Sequence, residues 1–545
     1  MRNKPYAYYE TATFDTIWDL LDLAEKRYAE KEAYVFKKSK AVIKKTYADL
    51  VADSHAFAAY IANEGYERKR IAILAENSYE WIVTWFGIVL SGNIAVPLDK
   101  MLDTEHLHFI ISSTAASALI YSKQYQEQAA FFKEKYDTMS FICVESDFEE
   151  RLSAGRALLK AGNVKRVPNN IDKNQTAEII YTSGTTGVAK GVALTQDNLC
   201  AELIAVSMSM QSNGSNMLVL PLNHCYAMMT ILVVLNKGQT TYICSGIKRF
   251  SQEVKEFAPA ELYLVPLFVE TMYHKIMEAA KQKGKEKQIK MLIKVSLGLY
   301  NMGIDIRRKL FATVLKEFGG NLNAMLSGGA PIDPMYLKAF RAFGVDVMEG
   351  YGISECSPVI AANRNAHYRD GSVGQALHGV EVKTDAADGK SEGELYVRGR
   401  IVMQGYFENE DATAETFDGD WFKTGDYGRI DKDGFIYITG RKKNIIILSN
   451  GKNLYPEELE QQIMRIPGVK EVIVYEENRT ITAEIFPDCD LLTEDGIHNH
   501  KEHLEAAVEK LNKQLPAGKS IAKVKIRDTC FEKTATQKII RKKYA

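Results

Sequence analysis

The chain has 545 residues, 46% hydrophobic and 26% charged, so it is too long for one hydrophobic core but ordinary in composition for a globular protein. Its formal net charge of −1 gives no global field to draw in nucleic acid or an anionic membrane. Seven scattered cysteines, Cys143, Cys200, Cys225, Cys244, Cys356, Cys489 and Cys530, form no C-x-x-C pair, which argues against a disulfide framework or zinc site and for reduced thiols in a cytoplasmic protein. In chain order, no apolar h-region follows Met1-Arg2-Asn3-Lys4-Pro5-Tyr6, so no signal peptide is expected. Residues 16–28 read as an amphipathic helix with Ile17, Leu20, Leu21 and Ala24 on one face. Residues 33–36 and 41–45 read as a strand pair, 47–64 as a helix, 70–74 as a strand, 78–91 as a helix and 94–97 as a strand. A helix over 103–113 and a strand over 118–121 continue the alternation, which predicts an α/β fold of largely parallel sheets covered by helices. The apolar runs 81–90 and 228–235 are far short of a bilayer span.

The next stretch, Ile179-Ile180-Tyr181-Thr182-Ser183-Gly184-Thr185-Thr186-Gly187-Val188-Ala189-Lys190-Gly191-Val192, is chemically distinctive. Strand 178–182 ends in hydroxyls and glycines, then a lysine, and a helix is expected over 196–208. Glycine lets backbone N–H groups approach a ligand, hydroxyls add donors and lysine adds charge, a mixture that suits polyphosphate. It is not the G-x-x-x-x-G-K-[ST] loop, because Gly184 and Lys190 are too far apart and Gly191 follows the lysine. A strand candidate at 218–221 runs into His224, a candidate catalytic residue, and Cys225. The basic run 281–294, with Ile289, Leu292 and Ile293 interleaved, reads as a solvated helix face; the sharper alternative is weak peripheral contact with anionic lipid. Two glycine-rich turns follow, Ser327-Gly328-Gly329-Ala330-Pro331 and Glu349-Gly350-Tyr351-Gly352-Ile353-Ser354-Glu355-Cys356. Residues 393–399 alternate as a strand, and Trp421-Phe422-Lys423-Thr424-Gly425-Asp426 is expected to end in an acidic turn. A domain boundary is expected at Gly440-Arg441-Lys442-Lys443-Asn444, giving domains 1–440 and 441–545. The second reads as α+β: helices 457–466 and 501–515, strands 472–475, 481–485 and 521–526, and a basic tail.

In this order the motifs resemble the adenylate-forming (AMP-binding) superfamily, over most of the chain. The Gly/Thr stretch is similar to its phosphate loop, Tyr351-Gly352-Ile353-Ser354-Glu355 to its Tyr-Gly-x-Thr-Glu motif, and Thr424-Gly425-Asp426 with Gly440-Arg441 to its ribose-binding positions. The resemblance implies that Thr182, Ser183, Gly184, Thr185, Thr186, Gly187 and Lys190 cradle the β- and γ-phosphates of ATP. Gly329, Ala330 and Pro331 would wall the adenine, with Tyr351, followed by Gly352, stacked on the base. Ser354 would reach the α-phosphate, Glu355 and Thr182 would hold Mg2+, and Asp426 with Arg441 would hold the ribose. Lys538 resembles the lysine that bridges substrate carboxylate and α-phosphate. Lys443 falls at the hinge of a small mobile C-terminal domain, and Gly451 in the loop that serves thioester formation. Ala189, Glu349 and Gln537 depart from the family pattern, and Ser354 keeps the hydroxyl of the usual threonine.

Residues 225–236 contain no acid to hold an α-ammonium group, which favours an alkyl or aryl acid. The phrases Val265-Pro266-Leu267-Phe268-Val269-Glu270 and Asp305-Ile306-Arg307-Arg308-Lys309-Leu310-Phe311 resemble bacterial long-chain fatty acyl-CoA synthetases. The resemblance implies ATP-dependent activation of a fatty acid to acyl-AMP, then transfer to CoA. The alternatives are an acyl carrier protein as acceptor, another apolar acid, or, in a different class, a nucleotide-binding regulatory protein that has lost catalysis.

Overall fold

The computed structural model describes residues 5–39, 41–162, 171–182, 189–211, 214–448, 453–494, 496–516, 519–533, 539–541 and 544. Helices begin where the sequence supplies caps. Thr16 with Asp19, Thr46 with Asp49 and Thr195 with Asn198 each close a capping box, a device that stabilises a helix start by about 1 kcal/mol. Helix Tyr79–Leu90 is apolar apart from Glu80 and Thr84 and buries Trp81, Trp85 and Phe86, so it lies beneath its neighbours.

Two compact units result: Met1–Glu381 with Val397–Phe422, and Val382–Tyr396 with Lys423–Ala545. The first unit holds two sheets. One runs in the order 375–376, 359–362, 346–352, 324–327, 261–264, 215–218, 240–243, 32–38 and 41–46; its six central strands are parallel and its edges antiparallel. The other runs 405–406, 190–195, 176–182, 94–97, 70–74, 118–121 and 140–143, parallel from 176–182 onward. The expected α/β class with largely parallel, helix-covered sheets is therefore what the chain adopts. The second unit has an antiparallel pair, Trp421–Ile430 with Ile436–Arg441, and a sheet of Val469–Glu477, Thr480–Pro487 and Lys523–Ile526. Helices Pro456–Ile463 and His500–Asn512 cover that sheet through Leu459, Ile463, Leu504 and Val508.

Several local expectations shift. The helix expected over 196–208 is Gln196–Ser209, but an unanticipated strand, Lys190–Thr195, lies between it and the Gly/Thr stretch. The strand candidate at 218–221 is Ser215–Leu218; Pro221 has no N–H to give a ladder. Trp421-Phe422-Lys423-Thr424-Gly425-Asp426 is no terminal turn but lies within strand Trp421–Ile430, where Gly425 takes φ +69°. Arg441 closes the strand paired to it, and the compact units divide within strand Trp421–Ile430, between Phe422 and Lys423. No helix among the described residues is long and apolar enough to cross a membrane.

Candidate active site

In the first unit the site is built where strands end. Strand Thr176–Thr182 pairs antiparallel with Lys190–Thr195 in the register Thr182↔Lys190 and Tyr181↔Gly191. Both ends of the Gly/Thr connection are thus held side by side. Ser183, Gly184, Thr185, Thr186 and Gly187 lie outside the described residues, as do Gly451 and Lys538. Gly191 is required by close packing: a Cβ there would lie 2.9 Å from Ile179 and 3.0 Å from the Tyr181 ring. The Tyr181 hydroxyl pairs with Ser113 at 2.7 Å.

Strands Ala324–Ser327 and Asp346–Gly352 run parallel with Ser327 opposite Glu349, so their C-terminal turns emerge together. That end of a parallel sheet is where α/β folds bind ligands. Gly329, Ala330 and Pro331 are exposed in the first turn. In the second, Tyr351 and Gly352 close the strand and are half-buried, and a Cβ on Gly352 would overlap the Pro358 carbonyl at 1.7 Å. The Tyr226 ring lies against Gly328, and its hydroxyl donates to Leu326 O at 3.2 Å. Glu349 is buried among these turns and its Oε2 has no hydrogen-bond partner among the described residues. Burial pushes its carboxyl up to about 8, so it holds a proton at neutral pH.

The short turn Ser354–Cys356 packs against strand Lys190–Thr195. Ser354 Oγ lies 3.3 Å from Cys225 Sγ, at the first residue of helix Cys225–Asn236, which His224 precedes as N-cap. Burial pushes the Cys225 thiol up to about 12, which leaves it a neutral partner for the hydroxyl. Glu355 accepts a hydrogen bond from the Tyr406 hydroxyl at 2.9 Å, and Lys190 Nζ stands 4.8 Å from the centre of the Tyr406 ring. Beneath this surface two more carboxyls are fully enclosed. Glu178 accepts the Trp85 indole N–H at 3.0 Å and is raised by burial to about 7. Glu202 accepts Val359 N–H at 2.7 Å and is raised well above the carboxylate range, first by burial and further by Glu178.

In the second unit Asp426 and Arg441 face each other across the antiparallel ladder, with Arg441 Nε 2.8 Å from Asp426 Oδ1. The Thr424 hydroxyl accepts the Asp426 backbone N–H at 3.0 Å. Buried Asp426 is therefore oriented by two neighbours, as a group that must present fixed acceptor geometry needs to be. Lys443 is exposed in the turn Lys442–Asn444 that follows.

Thus Lys190, Ser354 and Glu355 meet in one unit, and Asp426 meets Arg441 in the other. The sequence reading missed Tyr406 altogether and gave Cys225 no role in the site. No local pattern marks Tyr406; its place follows from strand Gly405–Tyr406 pairing with Val192 and Ala193.

Comparison with known proteins defines the class. The chain belongs to the AMP-binding enzyme family, whose match spans residues 21–407, with an AMP-binding enzyme C-terminal domain over residues 443–545. The resemblance carried by its motifs is borne out. A long-chain-fatty-acid–CoA ligase of Mycobacterium bovis, FadD15, is 29% identical over 520 residues, covering 87% of this chain and 85% of that protein. A chloroplastic long-chain-fatty-acid–acyl-carrier-protein ligase of Arabidopsis thaliana, AEE15, is 27% identical over 572 residues, covering 90% and 78%. The fold is shared with o-succinylbenzoate coenzyme A synthetase from Bacillus subtilis, solved in complex with ATP and magnesium ion: TM-score 0.72, 21% identity, 96% of this chain and 98% of that one.

Proposed function

We propose that this enzyme activates a long- or medium-chain fatty acid with ATP to acyl-AMP and then transfers the acyl group to CoA, releasing AMP. The observation that carries the reading is the meeting of Lys190, Ser354 and Glu355 around Cys225 and Tyr406 at the strand ends. Attack by a carboxylate on an anionic α-phosphorus needs charge neutralised as the transition state forms, and ammonium, hydroxyl and carboxylate-held cation supply that without a strong base. The adjoining helix Cys225–Asn236 carries no acid, against an amino-acid substrate.

Thr182, Ser183, Gly184, Thr185, Thr186, Gly187 and Lys190 hold the β- and γ-phosphates in this reading. Ser354 and Lys538 serve the α-phosphate, with His224 beside the reacting carboxylate. Gly329, Ala330, Pro331 and Tyr351, with Gly352, bind adenine, and Asp426 with Arg441 binds ribose. Lys443 is the hinge of a C-terminal domain starting at residue 441, and Gly451 leaves room for pantetheine because it has no side chain. Thr182 and Glu355 are hard oxygen donors and fit Mg2+, which is commonly held by one or two carboxylates together with substrate phosphates. No set of three His, Cys, Asp or Glu side chains among the described residues offers a cation an all-protein cage. When bound, Mg2+ neutralises phosphate charge.

The test is pyrophosphate release with ATP, Mg2+ and a panel of fatty acids, with and without CoA. Acid-dependent release and CoA-dependent AMP formation are expected; no release with any fatty acid would sink the reading. Lys538→Ala should abolish release yet spare thioester formation from preformed acyl-AMP, and equal loss of both steps would refute its assignment. The carrier-protein acceptor is the second reading, favoured by the Arabidopsis relative, and substituting acyl carrier protein for CoA in the assay decides it.

We also propose that the enzyme works in the cytoplasm and touches anionic lipid through helix Glu286–Asn301. That helix buries only Ser296 fully and exposes Met291 and Val295 beside Lys287 and Lys294. Sedimentation with anionic but not zwitterionic vesicles is expected; equal recovery with both would count against the contact.

A further inference from the structure

Tyr406 stands between two residues that the proposed reaction needs at the same moment. Its ring carries Lys190 Nζ on one face, 4.8 Å from the centroid, and its hydroxyl donates to Glu355 Oε1 at 2.9 Å. The backbone locks the ring in place from several directions. Tyr406 pairs with Val192, two residues beyond Lys190, and its N–H donates to Thr413 Oγ1 at 2.9 Å. Next to it Phe407 N–H donates to Gly191 O at 2.7 Å, and Met403 N–H donates to Glu355 O at 2.9 Å. The segment 403–407 is thus stitched both to the strand that starts with Lys190 and to the backbone of Glu355. Lys190 and Glu355 thus engage one side chain through different parts of it, the ring face and the hydroxyl.

A lysine ammonium and a glutamate carboxylate that share one neighbour would ordinarily pair with each other. Such a pair would take the cation from the phosphate and the carboxylate from the metal. An aromatic ring prevents this in a way a small polar residue does not. Its face attracts the ammonium while its edge hydroxyl engages the carboxylate, so each charge has a partner that a ligand can displace or share.

We propose that Tyr406 is a positioning residue that keeps Lys190 and Glu355 apart and oriented, the first for phosphate oxygens and the second for the Mg2+ that accompanies ATP. This rests on the AMP-forming reading above. A tyrosine that merely packs the sheet edge would contribute to folding but would not distinguish magnesium-bound from free nucleotide.

The experiment compares the unaltered full chain with Tyr406→Phe and Tyr406→Leu. Calorimetry measures binding of α,β-methylene-ATP with and without Mg2+, and thermal unfolding checks that each variant is folded. Tyr406→Phe keeps the ring and removes only the hydroxyl. It should lower the magnesium enhancement of nucleotide affinity by about ten- to a hundredfold, the scale of one hydrogen bond to a charged group, and leave metal-free binding unchanged. Tyr406→Leu should weaken metal-free binding as well, since Lys190 is then released to pair with Glu355. On the Tyr406→Phe background, Glu355→Gln should cost less of the enhancement than it does alone, because the two side chains act together. The same enhancement in Tyr406→Phe as in the unaltered chain, or no enhancement in the unaltered chain, overturns the proposal. Binding of this analogue does not require a fatty acid. Failure of the fatty-acid assay alongside normal magnesium-dependent binding would therefore reject the substrate reading and leave the role of Tyr406 standing.

Discussion

Cys225 shows how far one side chain's environment decides its chemistry. The thiol is buried at the start of helix Cys225–Asn236, 3.3 Å from Ser354 Oγ, and burial with the nearby carboxyls Glu202, Glu178 and Glu355 raises it to about 12. Thiolate is the reactive form, so a thiol so raised is inert as a nucleophile near neutral pH. Cys489 and Cys530 are exposed. Brief iodoacetamide treatment at about pH 8 should therefore label Cys489 and Cys530 and leave Cys225 unmodified, as read by peptide mass spectrometry. Early labelling of Cys225 would refute its enclosure. Cys225→Ser should retain adenylation through an equivalent hydroxyl contact. Cys225→Val should lower it several-fold, roughly 1 kcal/mol for a lost neutral hydrogen bond to Ser354.

At the scale of elements, the hairpin of Thr176–Thr182 and Lys190–Thr195 governs where the phosphate-loop residues begin and end. Gly191 sits in its second strand against Ile179 and Tyr181, closer than a side chain tolerates. Gly191→Ala should destabilise the protein by about 1–3 kcal/mol in urea unfolding, because Ile179 is fully buried and the Tyr181 ring is held through Ser113. An unchanged midpoint would mean that the ring yields freely. The hairpin also marks what the sequence disclosed. Strand Thr176–Thr182 was legible because β-branched and aromatic residues precede a run of hydroxyls and glycines. Strand Lys190–Thr195 was not, since Gly-Val-Ala-Leu is short and its strand character comes from partners on both sides. The Asp426–Arg441 pair was anticipated residue by residue, but through a resemblance; the ladder that joins them lay hidden because Gly425 reads locally as a turn. Tyr406 left no trace at all, as its contacts come from Lys190 and Glu355, hundreds and tens of residues away in the chain.

For the molecule as a whole, the unusual feature is the set of enclosed carboxyls around the strand ends. Glu178 is raised to about 7 and Glu349 to about 8 from an ordinary value of 4.5, both chiefly by burial, and Glu202 is also raised well above the carboxylate range, chiefly by burial. Each of these groups holds its proton in the folded state at pH values where the unfolded chain has lost it. The folded state then binds more protons, so stability falls as pH rises. For Glu349 the contribution is complete below about 4.5 and is lost progressively up to about 8, at a slope of about 1.4 kcal/mol per pH unit. Carboxylates lowered by hydrogen bonds, such as Asp388 at about 2, act in the opposite sense but only in acid, below the ordinary carboxylate range. The thermal midpoint should accordingly be higher near pH 5.5 than near pH 8, in buffers of equal ionic strength. Glu349→Gln removes the ionisation yet keeps the shape of the side chain, so it should flatten that decline, and its stability gain over the unaltered chain should grow from pH 5.5 to pH 8. A midpoint that rises over this interval, or a gain that does not change with pH, would show that Glu349 is ionised in the fold. The buried site would then have to supply a cationic or donor partner for it, which among the described residues its Oε2 does not have.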